Sequence, residues 1–398
     1  QKEFQDVPVA NALQDEEIAN NHRSNRRDFL KYLGFSLGAA TVAASCEIPV
    51  KRAIPYVVKP DDIVPGVASY YASTAPDGGH ALPILVKTRE GRPIKIEGNA
   101  SAKVYGGGTN ARVQASLLSL YDTNRYKNPL QKGEKRWKDM SWSDLDETVK
   151  SALGKAKGIR IVTRTNNSPL ASKAVSEFKN KYGSVEHVSY DGVSSAAQLE
   201  ANKKTFGIKA LPDYHFDKAD MVVSFDADFL GTWISPVEFA SDYSKNRKIE
   251  DPSNPNMSRH VQFESRMSYT GSNADERVLV KPSEMSASVA LLHNEIAKKT
   301  GASSVNTPAV NDKALASIKI IAGELLANKG RSLVVSGVND LSIQLMVNKI
   351  NHLLGNYGKT LDMTHHSLQK MGDERQVRKM IEDLKSGTAD VVIFWDCN

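Results

Sequence analysis

Residues 159–190 read IRIVTRTNNSPLASKAVSEFKNKYGSVEHVSY. IRIVTR is a short β-rich run and predicts a strand. SPLASKAVSEFKNKYG predicts a helix that ends at a glycine, and VEHVSY predicts a second strand. The alternation continues to the end of the chain. SSAAQLEANKKTFG (194–207) is a helix, ADMVVSFDAD (219–228) a strand, and RHVQFES and ERVLVKP are short strands. SEMSASVALLHNEIAKKTG and NDKALASIKIIAGELLANKG are helices. RSLVVSG is a strand, LSIQLMVNKINHLLGNYG a helix and ADVVIFWD a last strand. Short strands followed by glycine-terminated helices imply an α/β region with a parallel, doubly wound sheet. Such sheets take ligands beyond the carboxyl ends of their strands, which points to SFDADF (224–229) and VSGVND (335–340).

Ahead of this region the pattern is β-rich. In PILVKTREGRPIKIEGN (83–99), Ile84 and Val86, then Ile94 and Ile96, bracket a polar turn at Arg89–Gly91, which predicts a hairpin. YGGGTN (105–110) lacks both the P-loop Lys-Ser/Thr and the G-x-G-x-x-G frame, so it reads as a turn. Residues 111–130 predict a helix with a proline-terminated exit, in which Asp122 and Arg125 are close enough for a local ion pair. A second helix begins near Ser141 or Ser143, with Ser143 and Asp146 as a capping-box-like pair. EIPVKRAIPYVVKPDDIVPG has prolines at 49, 55, 60 and 65 and reads as an extended linker. The expected division is 1–55 for a polar arm, signal-like segment and linker, 56–155 for a small β-rich domain, and 156–398 for a Rossmann-like α/β region.

NRRDFLKYLGFSLGAATVAASC (25–46) carries an export signature. Arg26, Arg27, Phe29, Leu30 and Lys31 form the twin-arginine frame, with Asn25 where Ser or Thr is usual. That frame marks a protein exported folded. The uncharged run Tyr32–Cys46 would span roughly 22 Å as a helix, short of the ~30 Å hydrocarbon core. Ala-Ala-Ser-Cys is also a loose lipoprotein box with Cys46 as acceptor. Lipidation there removes what precedes the cysteine, so an inert thiol is the favoured reading. The retained apolar segment is then expected to lie along a partner or a membrane edge.

Composition excludes several classes. The chain has 398 residues, enough for two or three domains, with 40% hydrophobic and 25% charged residues. Basic residues are interleaved with acids, as in KGEKRWKD, so the net charge of +6 describes a solvated surface and no nucleic-acid partner. No apolar run reaches spanning length. The two cysteines, Cys46 and Cys397, cannot supply the roughly four thiolates of an iron–sulfur site. The nine histidines show no ligand spacing, and the adjacent His365 and His366 point apart. Asp226 and Asp228 would share a side of a continuing strand, where paired carboxylates do acid–base work. At a strand end they more often cap and solvate.

The order of motifs resembles the molybdopterin oxidoreductases. ILVKTREGRPIKIEGN, QASLLSLYDTNRYKNPL and RWKDMSWSDLDETV follow that family's opening, and FDKADMVVSFDADFLGT, NADERVLVKPSEMSASVALLHNEIA and VVSGVNDLSIQLMVNKINHLLGN follow in its order. The resemblance covers about residue 56 to the end. Family enzymes commonly place three cluster cysteines before ILVKT and a fourth in the glycine-rich stretch. Here VASYYASTAPDGGHALP has none, and Asn110 stands at the fourth position. Without a cluster there is no wire to a pterin site, which counts against a molybdenum cofactor.

Within that superfamily the chain is similar to one branch, the large iron–sulfur subunit of bacterial alternative complex III, through RRDFLKYLGF, AASCE and AIPYVVKP. This resemblance implies a scaffold part of a respiratory quinol:acceptor oxidoreductase, with no catalytic residue or cofactor in residues 1–398. It implies [4Fe–4S] and [3Fe–4S] clusters in a continuing C-terminal part. Its partners would be polytopic quinol-binding membrane subunits and a multihaem cytochrome c. Its place would be the periplasmic side of the bacterial inner membrane. The chain ends at Cys397-Asn398 on what reads as a buried strand, which fits the N-terminal portion of a longer protein. The alternative from another class is a catalytic molybdenum or tungsten oxidoreductase.

Overall fold

The computed structural model describes residues 61, 63–102, 104–253 and 255–397. One compact unit begins at Ile63. The expected hairpin is part of a three-stranded antiparallel sheet. β1 (Ser69–Asp77) pairs with β2 (His80–Arg89), which pairs with β3 (Arg92–Gly98). β1 leaves little mark in the sequence because its burial pattern is nearly all exposed, with Ala75 its buried hydrophobic residue.

Residues 104–110 form a tight turn that ends at Asn110, the N-cap of α1 (Ala111–Ala115). The glycines here serve packing. A Cβ at Gly108 would lie 2.8 Å from Cγ1 of Val237, and one at Gly98 would strike the Gly107 carbonyl. Helix 111–130 is shorter than expected: after α1 the chain winds as a 3-10 turn over Ser116–Leu120. Asp122 makes no ion pair with Arg125; its carboxylate accepts from the backbone N–H of Asn124 at 2.8 Å. A small hairpin follows, β4 (Leu130–Lys132) with β5 (Trp137–Asp139), and then α2 (Trp142–Lys155). Ser141 caps α2, accepting from Asp144 N–H at 3.1 Å, in place of the expected Ser143 and Asp146.

Mixed α/β architecture with parallel sheets follows, as expected, in two parallel sheets. β6 (Ile159–Thr163), α3 (Pro169–Tyr182) and β7 (Val185–Ser189) form the first βαβ unit. α4 (Ala196–Phe206) and β8 (Leu211–Tyr214) lead into β9 (Met221–Phe225). α5 (Pro236–Lys245), β10 (Arg259–Glu264), α6 (Tyr269–Ser272) and β11 (Glu276–Leu279) come next. α7 (Met285–Thr300), α8 (Asp312–Ala327), β12 (Ser332–Ser336) and α9 (Leu341–Leu353) complete a parallel sheet in the order β11-β10-β9-β12. β13 (Leu361–Ser367) returns antiparallel to β8. α10 (Glu374–Ser386) then carries β14 (Val391–Trp395) back to pair parallel with β6, giving the order β14-β6-β7.

β14 is an edge strand, not the buried strand that VVIFW suggests: Phe394 is 68% exposed. The β8–β13 ribbon is a nonlocal pairing that no sequence period reveals. α5 and α10 also lie beyond the sequence expectations; α10 is mostly charged, with Met380 as its buried residue.

The four-stranded sheet is buried on both faces. Val223, Phe225, Val261 and Phe263 pack against Leu292, Ile296, Ile318 and Val347 on one side. Val222, Leu333 and Val335 pack against Leu199, Phe216, Phe229 and Phe239 on the other. β9 is buried along its whole length, which is why MVVSF is apolar apart from Ser224, whose hydroxyl donates to the Ala227 carbonyl at 3.0 Å.

Candidate functional site

In the sheet β11-β10-β9-β12 successive strands step one way from β9 through β10 to β11, and β12 then returns to the other side of β9. The gap between β9 and β12 is the topological switch point, where open α/β sheets place their ligands. SFDADF and VSGVND flank it, as the sequence anticipates: β9 ends at Phe225 and β12 at Ser336. The two turns lock together, because Gly337 N–H donates to Phe225 O at 2.9 Å and a Cβ at Gly337 would strike the Asp226 backbone.

The two aspartates diverge. Asp226 takes φ +54°, outside the strand, and is exposed on the rim. Partial burial raises its carboxyl pKa, and Arg266 opposes that shift. Asp228 turns inward, where its Oδ1 accepts from Thr270 N–H at 3.0 Å and from Thr270 Oγ1 at 2.8 Å. Its Oδ2 accepts from Thr232 Oγ1 at 3.1 Å. Asp228 therefore holds the loop after β9 against α6 and does not face Asp226 as an acid–base partner.

The crevice beyond the switch point is nearly filled. Gln198, Trp233, Asn339, Gln344 and Lys370 are among the side chains that close it to a cavity of about 40 Å³, room for no more than a few waters. Gln344 donates to the Ser336 and Val338 carbonyls at 3.0 and 2.8 Å, so its amide is engaged by the chain itself.

The larger opening is a cleft of about 690 Å³ between the glycine turn and α5. Leu230, Pro236, Val237, Ala240 and Tyr269 make much of its wall. Arg112 is the cation among its lining residues. Its guanidinium donates to both Asp77 oxygens, at 2.8 and 2.9 Å, and this pairing lowers the Asp77 pKa. Asn110 donates to the same carboxylate and accepts from Val113 N–H at 3.0 Å. Asn110, expected from the resemblance at the fourth cysteine position, is an N-cap bound to the end of β1. Nearby, the His80 ring Nε2 meets the Ile234 carbonyl, and burial lowers its pKa.

One buried polar row is not legible in the sequence. His260, Gln262 and Glu264 alternate along β10, and all three are at most 1% exposed. Tyr243 Oη lies 3.1 Å from His260 Nδ1. Glu264 accepts from Ser268 Oγ at 2.6 Å and pairs with Arg277. Gly271 leaves the space its carboxylate fills. Arg277, 13 residues further on in β11, pairs with Glu264, and alternation along β10 carries no signal of that partner.

Of the remaining sequence candidates, Arg26, Arg27, Phe29, Leu30, Lys31 and Cys46 lie outside the described residues. His365 and His366 are both exposed on β13. His365 Nδ1 lies 2.7 Å from Asp362 and His366 Nδ1 lies 3.1 Å from the Met363 carbonyl. Among the described residues no group of three or more His, Cys, Asp or Glu is arranged to hold a metal ion. Among the same residues no helix is long and apolar enough to cross a membrane.

No family model matches the chain. Among solved structures it is similar to acetylene hydratase from Pelobacter acetylenicus, at 11% identity and TM-score 0.43, over 74% of this chain and 42% of that one. It is also similar to the formyltransferase/hydrolase complex from Methylorubrum extorquens, at 10% identity and TM-score 0.34, over 68% of this chain and 61% of that one. Among curated proteins it is similar to the menaquinone reductase, molybdopterin-binding-like subunit, of Nitratidesulfovibrio vulgaris, at 24% identity over 250 residues. That match takes in 61% of this chain and 34% of the relative, so the chain spans about a third of that protein's length.

Proposed function

We propose that residues 1–398 are the framework part of a quinone-linked oxidoreductase, built on a molybdopterin-oxidoreductase-like fold and without catalytic residues of its own. The finer reading is a subunit of alternative complex III. There a quinol is oxidised in polytopic membrane subunits, and electrons pass through [4Fe–4S] and [3Fe–4S] clusters carried outside these residues to a multihaem cytochrome c. The twin-arginine frame at Arg26–Arg27 would export the chain folded, to the periplasmic side of the inner membrane, where the membrane subunits hold it.

The observation that carries the framework reading is the closed switch point. A pterin dinucleotide is far larger than a 40 Å³ cavity, and Gln198, Trp233 and Gln344 already occupy its place. In the 690 Å³ cleft Arg112, the cation among the lining residues, is committed to Asp77, which leaves no free cation there for a pyrophosphate. The filled switch point supports a reading in which these residues hold no molybdenum cofactor. The curated relative's name, a molybdopterin-binding-like subunit of a menaquinone reductase, supports the quinone link.

Metal analysis of the purified protein tests the reading. Molybdenum and tungsten far below one per chain are expected. About one of either per chain, retained through gel filtration, would replace the framework reading with a catalytic molybdenum or tungsten subunit.

A further inference from the structure

The segment between α1 and β6 is the least covered part of the described residues. Tyr126 is 85% exposed, Trp142 68%, Leu118 68% and Trp137 60%. Large aromatic side chains left in water at this density mark a surface that binds something. The segment also carries a local excess of positive charge. Between Arg125 and Lys138 stand six basic residues (Arg125, Lys127, Lys132, Lys135, Arg136, Lys138) and one acid, Glu134. The sequence alone suggests a solvated face balanced by neighbouring acids. In the fold they are not balanced, since every ion pair among the described residues is made by other side chains.

Geometry joins the two features. Lys132 stands directly opposite Trp137 in the β4–β5 register, so cation and indole leave the same face of the hairpin. Two three-residue strands are marginal by themselves in water. An outside surface that takes up the indoles would steady them.

We infer that the β4–β5 hairpin and the start of α2, through Tyr126, Trp137, Trp142 and the flanking lysines, dock on the headgroup region of an anionic phospholipid bilayer. Tryptophan and tyrosine partition to the headgroup level, where the ring is buried and its polar edge stays wet. Clustered lysines are drawn to anionic lipid, at about 1 kcal/mol each, or roughly fivefold in affinity. The choice of lysine discriminates between occupants. Protein interfaces are depleted in lysine and enriched in arginine, whereas four of the six cations here are lysines. The inference stands on this surface alone and does not depend on the function proposed above.

Vesicle sedimentation of the whole 398-residue chain tests it, using phosphatidylcholine vesicles with and without phosphatidylglycerol. The N-terminal residues are common to every variant, so differences between variants report the hairpin. K132Q/K135Q/K138Q is expected to lose roughly a hundredfold in affinity for the anionic vesicles. W137S/W142S is expected to lose about tenfold through the unburied indoles. All these side chains are exposed, so the variants should fold, and circular dichroism checks this. Brominated lipid should quench tryptophan emission in the wild type and much less in W137S/W142S, where Trp233 and Trp395 remain. Equal sedimentation of all variants, or no preference for the anionic vesicles, would overturn the inference. Loss of self-association in the variants with vesicle binding unchanged would also overturn it and assign the patch to a second copy of the chain.

Discussion

Lowering the pH should unfasten the four-stranded sheet through His260. The ring is 0% exposed, with Phe229 and Tyr243 at 5.1 and 5.5 Å between ring centroids. Burial holds its pKa down to about 4, against 6.5 for an ordinary histidine. Gln262, Asp275 and Glu264 oppose that shift, and Arg247 adds to it. The folded pKa lies below the unfolded one, so the unfolded chain takes the proton first. The contribution of His260 is therefore complete above about pH 6.5 and is lost as pH falls toward 4. Its limit is about 3 kcal/mol, and at about pH 5 roughly 2 kcal/mol is already gone. That is a large fraction of the roughly 5–15 kcal/mol a domain has.

The assay is urea unfolding at about pH 8 and about pH 5 for the wild type and for His260→Gln, which keeps a hydrogen-bonding side chain facing Tyr243 but cannot titrate. Other groups titrate alike in both proteins. The wild type should lose about 2 kcal/mol more than the variant between the two pH values. Equal losses, or an imidazole resonance of His260 titrating near the ordinary value of 6.5 in the folded protein, would refute the reasoning.

The packing sets further expectations. Glu264→Ala strands Arg277 and the Ser268 donors beside a buried gap and should cost about 3 kcal/mol in urea unfolding, while Arg277→Ala should cost a similar amount. Gly108→Ala pushes a methyl group against Val237 and should lower stability by about 1–3 kcal/mol. Gly154→Ala, in α2 with nothing within 4 Å of the new Cβ, should instead raise stability by about 0.5–1 kcal/mol; thermal melts compare the pair directly. Asp340→Ala removes the cap that accepts from Ile343 N–H at 3.0 Å, and should cost about 1 kcal/mol and speed amide exchange in the first turn of α9.

The chain by itself determined its local periods. Glycine-terminated helices at 169–182, 196–206 and 285–300, and the largely apolar strand MVVSF, needed only the 3.6-residue repeat, a terminal glycine and a short β-rich run to be read. The hairpin at residues 80–98 was legible because a two-residue period and a polar turn are local signals. The direction of the carboxyl ends, and so the place of SFDADF and VSGVND, followed from the same alternation.

Tertiary structure decided what depends on distant partners. It brought the last strand back beside β6, pairing Val391 with Ile159 and Trp395 with Thr163. It buried His260, Gln262 and Glu264, with Tyr243 of α5 reaching His260 and Arg277 of β11 pairing with Glu264. It turned Asp226 and Asp228 apart, since a positive φ at Asp226 ends the strand that would have aligned them. It also closed the switch point with Gln198, Trp233 and Gln344, three side chains far apart in the chain that only the folded backbone brings together. Hydrophobic period is a property of neighbours in the chain, whereas burial of a polar group depends on which distant donors and acceptors reach it.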